Sequence, residues 1–365
     1  MDTLTHALSG ALAGRLLALG PRNAANRRPT PPVWQTVTVG TVAAAFPDID
    51  FVLGYVSEMA YLRGHRGVTH SLILLPLWGL LVAWLMAGLF RLVRRRDSSA
   101  PPAGWKDFYL VACVAIFVHI VGDLITSFGT MILEPLSDRR FSFGTTFIID
   151  LGLSGILVVG LIASAIWRNS RVPASLAALA LVAWIGNSAI ARGEAIEAAR
   201  AHAERAGIAV VALDAIPRPA SPYNWTAIIF DGTNYHYAHL NTRRSEPLVA
   251  TPDDHFIRRF SAPYPPVHMA QWQTAPQFGD EAATALARDV WEADEFAFFR
   301  WFAAFPVFDE IDPPDGPYGT CASFRDLRFE TPGRGRTPFR FGLCNGGGEW
   351  RMFERAAEGL RWVSE

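Results

Sequence analysis

Apolar residues in this chain are gathered into long runs over the first half and scattered over the second. The runs near positions 4 to 20, 33 to 47, 72 to 93, 107 to 125, 147 to 167 and 174 to 192 carry few charges. A helical membrane span needs roughly 17 to 25 mostly apolar residues. The pattern therefore predicts a mainly α polytopic membrane domain of about six helices over residues 1–192, the second run being the shortest. The first run reads as retained rather than as a cleaved leader, because MDTLTHALSG sets no basic residue ahead of the apolar stretch.

From about residue 193 the texture changes. The sixth run passes into ARGEAIEAARAHAERAG, which keeps helical spacing with a charged face and ends at Gly207. Beyond it IAVVAL, WTAIIFD, NYHYAHL, ASFRDLRF, PFRFGLC and EWRMF read as strands, with a turn at Asp231 and Gly232. An amphipathic helix is expected over roughly 280 to 303. Residues 193–365 are thus expected to form an extramembrane α+β domain on an antiparallel sheet, long enough to bury a core of its own.

Composition agrees with a membrane protein: half the residues are hydrophobic, with 12 Trp and 24 Phe. The net charge of −1 and the lack of a basic stripe with interleaved aromatics argue against nucleic acid as a partner. None of the three cysteines forms a CxxC pair; Cys113 falls inside a run, and Cys321 and Cys344 are able to form one disulfide if the tail lies outside the cytoplasm. Short loops rich in Lys and Arg stay cytoplasmic. Arg22, Arg27 and Arg28, then Arg91, Arg94, Arg95, Arg96 and Lys106, then Arg168 and Arg171, fall in loops on one side; only Arg139 and Arg140 weigh against that orientation. The expected location is a bacterial inner membrane, crossed several times, with the C-terminal domain in the periplasm.

Four of the nine histidines lie in the apolar half, and alternation puts them all at the non-cytoplasmic ends of their runs. They are His6, His65, His70 and His119. Asp48 and Asp50 in FPDID, and Asp123 one helical turn after His119, fall at the same ends. Ionisable groups at membrane depth are costly and mark function when they cluster. Taken singly, each has a plainer reading: a helix-tying pair for His119 and Asp123, a loop cap for FPDID, an interfacial anchor for Arg66. Their joint placement favours a metal site. His6, His70, His119, Asp123 and one of Asp48 or Asp50 are the candidate ligands; the other Asp would act on water, Arg66 would hold an anionic oxygen of substrate, and His65 and Thr69 would support. Imidazole and carboxylate donors without thiolate suit Zn2+, with Mn2+ or Fe2+ as alternatives, better than calcium. Glu134, Ser137 and Asp138 are loop residues near enough in sequence to complete the site, with ordinary turn chemistry as the plainer reading. His236 and His239, three apart in a strand, are expected on opposite faces as sheet residues. Two rival classes use the same residues differently: a transporter or proton/metal conduit, and a non-catalytic assembly or sensor protein whose tail is the working part.

MDTLTHALSGALAG, FPDID, GHRGVTHS and HIVGDLITSFGT, in that order over about residues 1 to 150, resemble the LexA-regulated, inner-membrane metal-dependent hydrolase family, and the tail resembles the extra domain of its longer members. The resemblance implies a site made of His6, Asp48, Asp50, His65, Arg66, Thr69, His70, His119 and Asp123. Phe51 after PDID, and SFGT in place of a TPxG-like turn, depart from the shorter members and bear on substrate choice. The order of His, Asp, His and HxxxD is also similar to that of zinc-dependent phospholipases C. That similarity implies hydrolysis of a phosphoester, with a lipid or lipid-like substrate reachable from the bilayer.

Overall fold

A computed structural model describes residues 1–18, 30–93, 103–312, 318–333, 335, 337–346, 348–356 and 359–363. Arg22, Arg27, Arg28 and Arg94 to Arg96, on which the orientation partly rests, lie outside the described residues. The chain divides into two compact units, Met1–Ser188 and Ala189–Glu365.

The first unit is helical. Its helices are α1 (Thr3–Leu17), α2 (Val33–Ala45), α3 (Glu58–Gly64), α4 (Leu75–Leu92), α5 (Trp105–Leu124), α6 (Leu151–Ile166) and the first part of α7 (Val172–Ala206), with 3-10 turns at Pro47–Tyr55 and Val68–His70. Asp2 starts α1 by accepting from Thr5 N at 3.0 Å, and Ser57 starts α3 in the same way through Ala60 N. Helices α1 and α2 pack backbone against backbone because Gly10, Gly14 and Gly40 fall at their contact: a Cβ on Gly10 would collide with the Gly40 carbonyl. Helices α2, α4 and α5 share a core of small and aliphatic residues around Val39, Ala43, Met86, Phe108, Ile116 and Ile120.

Three of these helices, α4, α5 and α7, are long and apolar enough to cross a membrane. A fourth span exists if α2 and the turn after it, bent by 43°, are one broken element. Among the described residues the expected count of about six is not reached on length: α6 has 16 residues and α1 has 15, and at 1.5 Å per residue neither reaches the roughly 30 Å of a hydrocarbon core.

The second unit carries two antiparallel sheets. The first runs β1 (Ala212–Pro217), β2 (Asn224–Phe230), β3 (Asn234–Asn241), β4 (Gln273–Pro276); the second runs β5 (Pro306–Asp312), β6 (Thr320–Asp326), β7 (Phe341–Asn345), β8 (Trp350–Ala356), β9 (Gly359–Trp362). Helix α8 (Phe256–Ser261) lies between β3 and β4, and α9 (Glu281–Glu292) and α10 (Ala297–Phe302) lie between β4 and β5. Ala191, Ala195, Ala199 and Ala203, four apart along α7, pack on Trp225, Ala227, Ile229 and Leu240 of the first sheet. The helix ends where Gly207 takes a φ of 66°.

Two local expectations shift. The strand expected at IAVVAL starts only at Ala212, because pairing begins opposite Phe230, and Val210 and Val211 stay exposed. The single helix expected over 280–303 is broken after Glu292, where Ala293 is extended and its carbonyl takes a 2.7 Å hydrogen bond from Arg300 Nη1. Cys321 and Cys344, directly opposed on β6 and β7, form a disulfide. Cys113 is free.

Candidate metal centre

The site sits where several helix ends meet in the first unit: the start of α1, the turn after α2, the 65–70 segment and the end of α5. His6 and His119 stack with ring centroids 3.7 Å apart. One donor atom each from His6, Asp48, His119 and Asp123 lies within 4.8 Å of all the others, the spacing of a metal-binding group. His70 joins the same cluster, with Nε2 at 2.9 Å from His119 Nε2, 3.1 Å from Asp123 Oδ2 and 4.0 Å from Asp48 Oδ1. Both rings are completely buried.

The outer contacts of these rings fix where their lone pairs point. His119 Nδ1 lies 2.6 Å from the Ala44 carbonyl, which can only accept, so Nδ1 carries the hydrogen and donates. His70 Nδ1 faces Thr69 Oγ1 at 3.0 Å and Asp50 Oδ2 at 3.6 Å, two oxygens toward which Nδ1 can donate as it does in His119. With Nδ1 donating in both rings, two bare Nε2 atoms face one another at 2.9 Å, and Asp123 Oδ2 is buried 3.1 Å from one and 3.4 Å from the other. Electron-rich atoms converging without a donor among them repel, and each buried acceptor left unsatisfied costs about 1–3 kcal/mol. A divalent cation removes that conflict, and rings whose second nitrogen is held by a carbonyl or carboxylate are the usual way histidine is presented to a metal. The donor set fits such an ion.

The two carboxylates of FPDID take different parts. Asp48 Oδ2 accepts from Thr3 Oγ1 at 2.6 Å and its Oδ1 faces the cluster, 3.7 Å from His119 Nε2. Asp50 turns away from the centre. It lies 3.1 and 3.2 Å from His65 Nδ1 and accepts from Arg66 N at 2.9 Å, so it orients His65, His70 and the backbone of the segment.

Arg66 is buried and has φ of 61°, a left-handed conformation that non-glycine residues adopt at a cost of about 1–3 kcal/mol when the surroundings impose it. Asp50 holds its N–H and Met131 N donates to its carbonyl at 2.9 Å. Its Nη2 lies 2.9 Å from Asp123 Oδ1 and its Nη1 donates to Thr126 Oγ1 at 2.8 Å, while Nε has no partner. The Met1 amino group also contacts Asp123 Oδ1. Glu134 and Ser137 make local contacts instead, Glu134 through its carbonyl to Ser71 and Ser137 to Arg139 N, and neither they nor Asp138 are among the donors gathered here.

A cavity of about 840 Å³ opens onto the site. Asp48, Asp50, His65 and Arg66 form its polar side, and Val42, Phe46, Ile49, Phe51 and Ile148 its apolar side. Several residues of the site carry no signal in the sequence. Tyr61 stacks on His65 with centroids 4.7 Å apart and lines the cavity; Phe128 lies under the Arg66 guanidinium at 5.0 Å; the Ala44 carbonyl sets the His119 tautomer. Thr3 and Thr126 were within reach, each sitting a few positions from a motif residue.

A family model described as YdjM inner membrane protein matches residues 1–195, more than half of the chain. The uncharacterized protein YfhP of Bacillus subtilis (strain 168) is 27% identical over 174 residues, which cover 47% of this chain and 48% of that protein. The chain thus spans about half the length of the curated relative it matches. No solved structure matches.

Proposed function

This chain belongs to the YdjM inner membrane protein family, and on that premise we propose that it is a multi-pass, metal-dependent membrane hydrolase acting on a phosphoester or lipid-like substrate at the non-cytoplasmic face. The observation that carries the reading is the pair of Nε2 atoms, His70 and His119, facing each other at 2.9 Å with an Asp123 oxygen 3.1 and 3.4 Å from them. His6, Asp48, His70, His119 and Asp123 are the residues that would hold the ion; their nitrogen and oxygen donors suit Zn2+ first, then Mn2+ or Fe2+. When bound, the cation supplies positive charge and Lewis acidity toward an oxygen of substrate or water.

The remaining steps belong to the protein. His65, held by Asp50 through Nδ1 and stacked on Tyr61, is the proton-carrying side chain at the cavity wall. Arg66 lines the same cavity and keeps one donor without a partner, its buried Nε, through which it would bind an anionic oxygen that enters. A substrate with a polar head against Asp48, His65 and Arg66 and an apolar part along Val42, Ile49, Phe51 and Ile148 uses both sides of the cavity. The disulfide of the second unit agrees with a periplasmic C-terminal domain, because such bonds persist in oxidising compartments.

The test is elemental analysis of the detergent-purified protein beside His119→Ala and Asp123→Ala, each checked by thermal melt. Near-stoichiometric zinc or manganese in the wild type, lost from both folded variants, is expected, followed by hydrolysis of a lipid phosphoester that the variants do not support. A folded wild type that takes up no metal after add-back would overturn the reading in favour of a conduit or an assembly protein. A conduit needs polar groups continuing toward the other ends of the helices. Arg15, the buried candidate there, is occupied in donating to the carbonyls of Arg168 and Ser170 at 2.8 Å.

A further inference from the structure

The first unit carries another cavity, of about 530 Å³, that shares no residue with the metal centre. It is a groove between α6 and α7, lined by Gly155, Val159, Ala163 and Trp167 on one side and by Leu176 and Ala180 on the other, with no charged side chain. The two helices touch where a Cβ on Gly160 would meet Ala177, and Gly155 opens onto empty space beside that contact. The rim is apolar and outward: Val159, Trp167 and Leu176 are each at least 60% exposed.

One end of the groove is the turn at 168–171 that joins the helices, flanked by Trp167 and Pro173 of the lining. Arginines build this turn. The buried Arg15 of α1 donates through Nη2 to the carbonyls of Arg168 and Ser170 at 2.8 Å, and Arg171 Nη2 donates to the Ala18 carbonyl. Backbone oxygens accept these hydrogen bonds without neutralising the charge. Among the described residues no carboxylate pairs with Arg15, Arg168 or Arg171, and the exposed Arg168 guanidinium makes no hydrogen bond. The chain supplies no acidic residue between Asp2 and Asp48, nor between Asp150 and Glu194. Three positive charges thus gather at the mouth of an uncharged groove.

We propose that the groove binds one anionic phospholipid, its acyl chain between α6 and α7 and its phosphate at Arg168 and Arg171. Three observations select this occupant. The chain belongs to a membrane protein family and α7 is long and apolar enough to span, so acyl chains are what its apolar face meets. From Gly155 to Trp167 the groove runs ~18 Å at 1.5 Å per residue, about the depth of one leaflet of a hydrocarbon core of roughly 30 Å. The unneutralised arginines complement a phosphate, which guanidinium binds in bidentate fashion, and Trp167 beside them suits headgroup level. Lipids of net negative charge are favoured over zwitterionic ones, whose own cation repels the turn. The inference uses no residue of the metal centre and stands whether or not an ion binds there.

The test titrates the full chain in detergent micelles with dioleoyl phosphatidylglycerol, with phosphatidylcholine of the same chains, and with glycerol 3-phosphate. Native mass spectrometry reads the bound lipid. The wild type should retain one phosphatidylglycerol at lower lipid concentration than phosphatidylcholine, by about fivefold for each arginine that meets the phosphate. Arg168→Gln should lose about that factor for phosphatidylglycerol only. Gly155→Leu should displace both lipids, with an unchanged thermal melt, because its side chain enters open space. Arg168→Gln, whose guanidinium touches nothing, decides the matter if Gly155→Leu fails to fold. His119→Ala should retain the lipid as the wild type does, which separates this site from the metal centre. Equal retention of the two lipids by the wild type overturns the proposal. So does phosphatidylglycerol retained in folded Gly155→Leu as in the wild type, or displaced by glycerol 3-phosphate, because the groove then contributes nothing.

Discussion

Replacing Asp50 by Asn and, separately, Asp48 by Asn asks which carboxylate of FPDID touches the ion. The sequence left that open, since both lie in one short turn. In the structure Asp50 spends its oxygens on His65 Nδ1 at 3.1 and 3.2 Å and on Arg66 N at 2.9 Å, with His70 Nδ1 at 3.6 Å. An asparagine there keeps one acceptor, places an NH2 against groups that already donate, and removes the charge that steadies His65 and His70. Loss of such an outer contact typically weakens metal affinity about 10- to 100-fold, which is about 1.4–2.7 kcal/mol. Asp48→Asn removes a donor atom 3.7 Å from His119 Nε2, and retention of the ion through chelator dialysis should fail, as in His119→Ala. The assay is competition for zinc against a chelator of known affinity, with thermal melts of each apo variant to establish folding. If Asp50→Asn loses the ion completely while Asp48→Asn keeps it, the assigned roles are reversed. If Asp50→Asn binds as wild type does, its contacts to His65 and His70 carry no coupling to the site and the reasoning is wrong.

Other perturbations test the scaffold. Gly10→Ala should push α1 off α2, because the new Cβ meets the Gly40 carbonyl and Ala44; a loss of about 1–3 kcal/mol in a thermal melt is expected, together with weakened metal retention, since the Ala44 carbonyl holds His119. Cys321→Ser with Cys344→Ser opens a pairing of sequence separation 23 and should cost about 3 kcal/mol by chain entropy; wild type treated with a thiol-alkylating reagent should gain mass at Cys321 and Cys344 only after reduction. Burial, aided by the Arg218 charge, pushes His239 down to about 3 from 6.5. The folded state thus holds His239 neutral while the unfolded chain takes up a proton, so this contribution is complete above pH 6.5 and is lost as pH falls toward 3, by at most about 1.4 kcal/mol per pH unit. His239→Gln should flatten that part of the acid-stability curve; an unchanged curve sinks the assignment.

Much of this molecule is legible along the chain because the physics involved is local. Apolar runs marked α1, α2 and α4 to α7 but not α3, the change of texture after residue 193 marked β1 to β3 and β6 to β8 but neither β4, β5 and β9 nor the division into two sheets, and Gly207 marked the end of α7. Strand starts were less legible: IAVVAL carries the right composition, yet pairing with Phe230 decides that the strand begins at Ala212. The break in the helix expected over 280–303 was equally hidden, because Arg300 reaches back to the Ala293 carbonyl from another turn. Run length proved an incomplete guide to spans, since α1 and α6 stop short of a bilayer's thickness although their apolar stretches read longer.

The residue types of the candidate site were legible in sequence, because His6, FPDID, HRGVTHS and the HxxxD of α5 each fall at an end of an apolar run, and those ends meet in the structure. The division of labour among them was not. That Asp48 faces the cluster while Asp50 steadies two imidazoles, that Arg66 sits against Asp123 with only Nε free, and that Tyr61, Phe128 and a backbone carbonyl take part follow from contacts between residues far apart in sequence. Composition and spacing determine which chemistry the chain can carry; the direction of each lone pair is decided only when the helices pack.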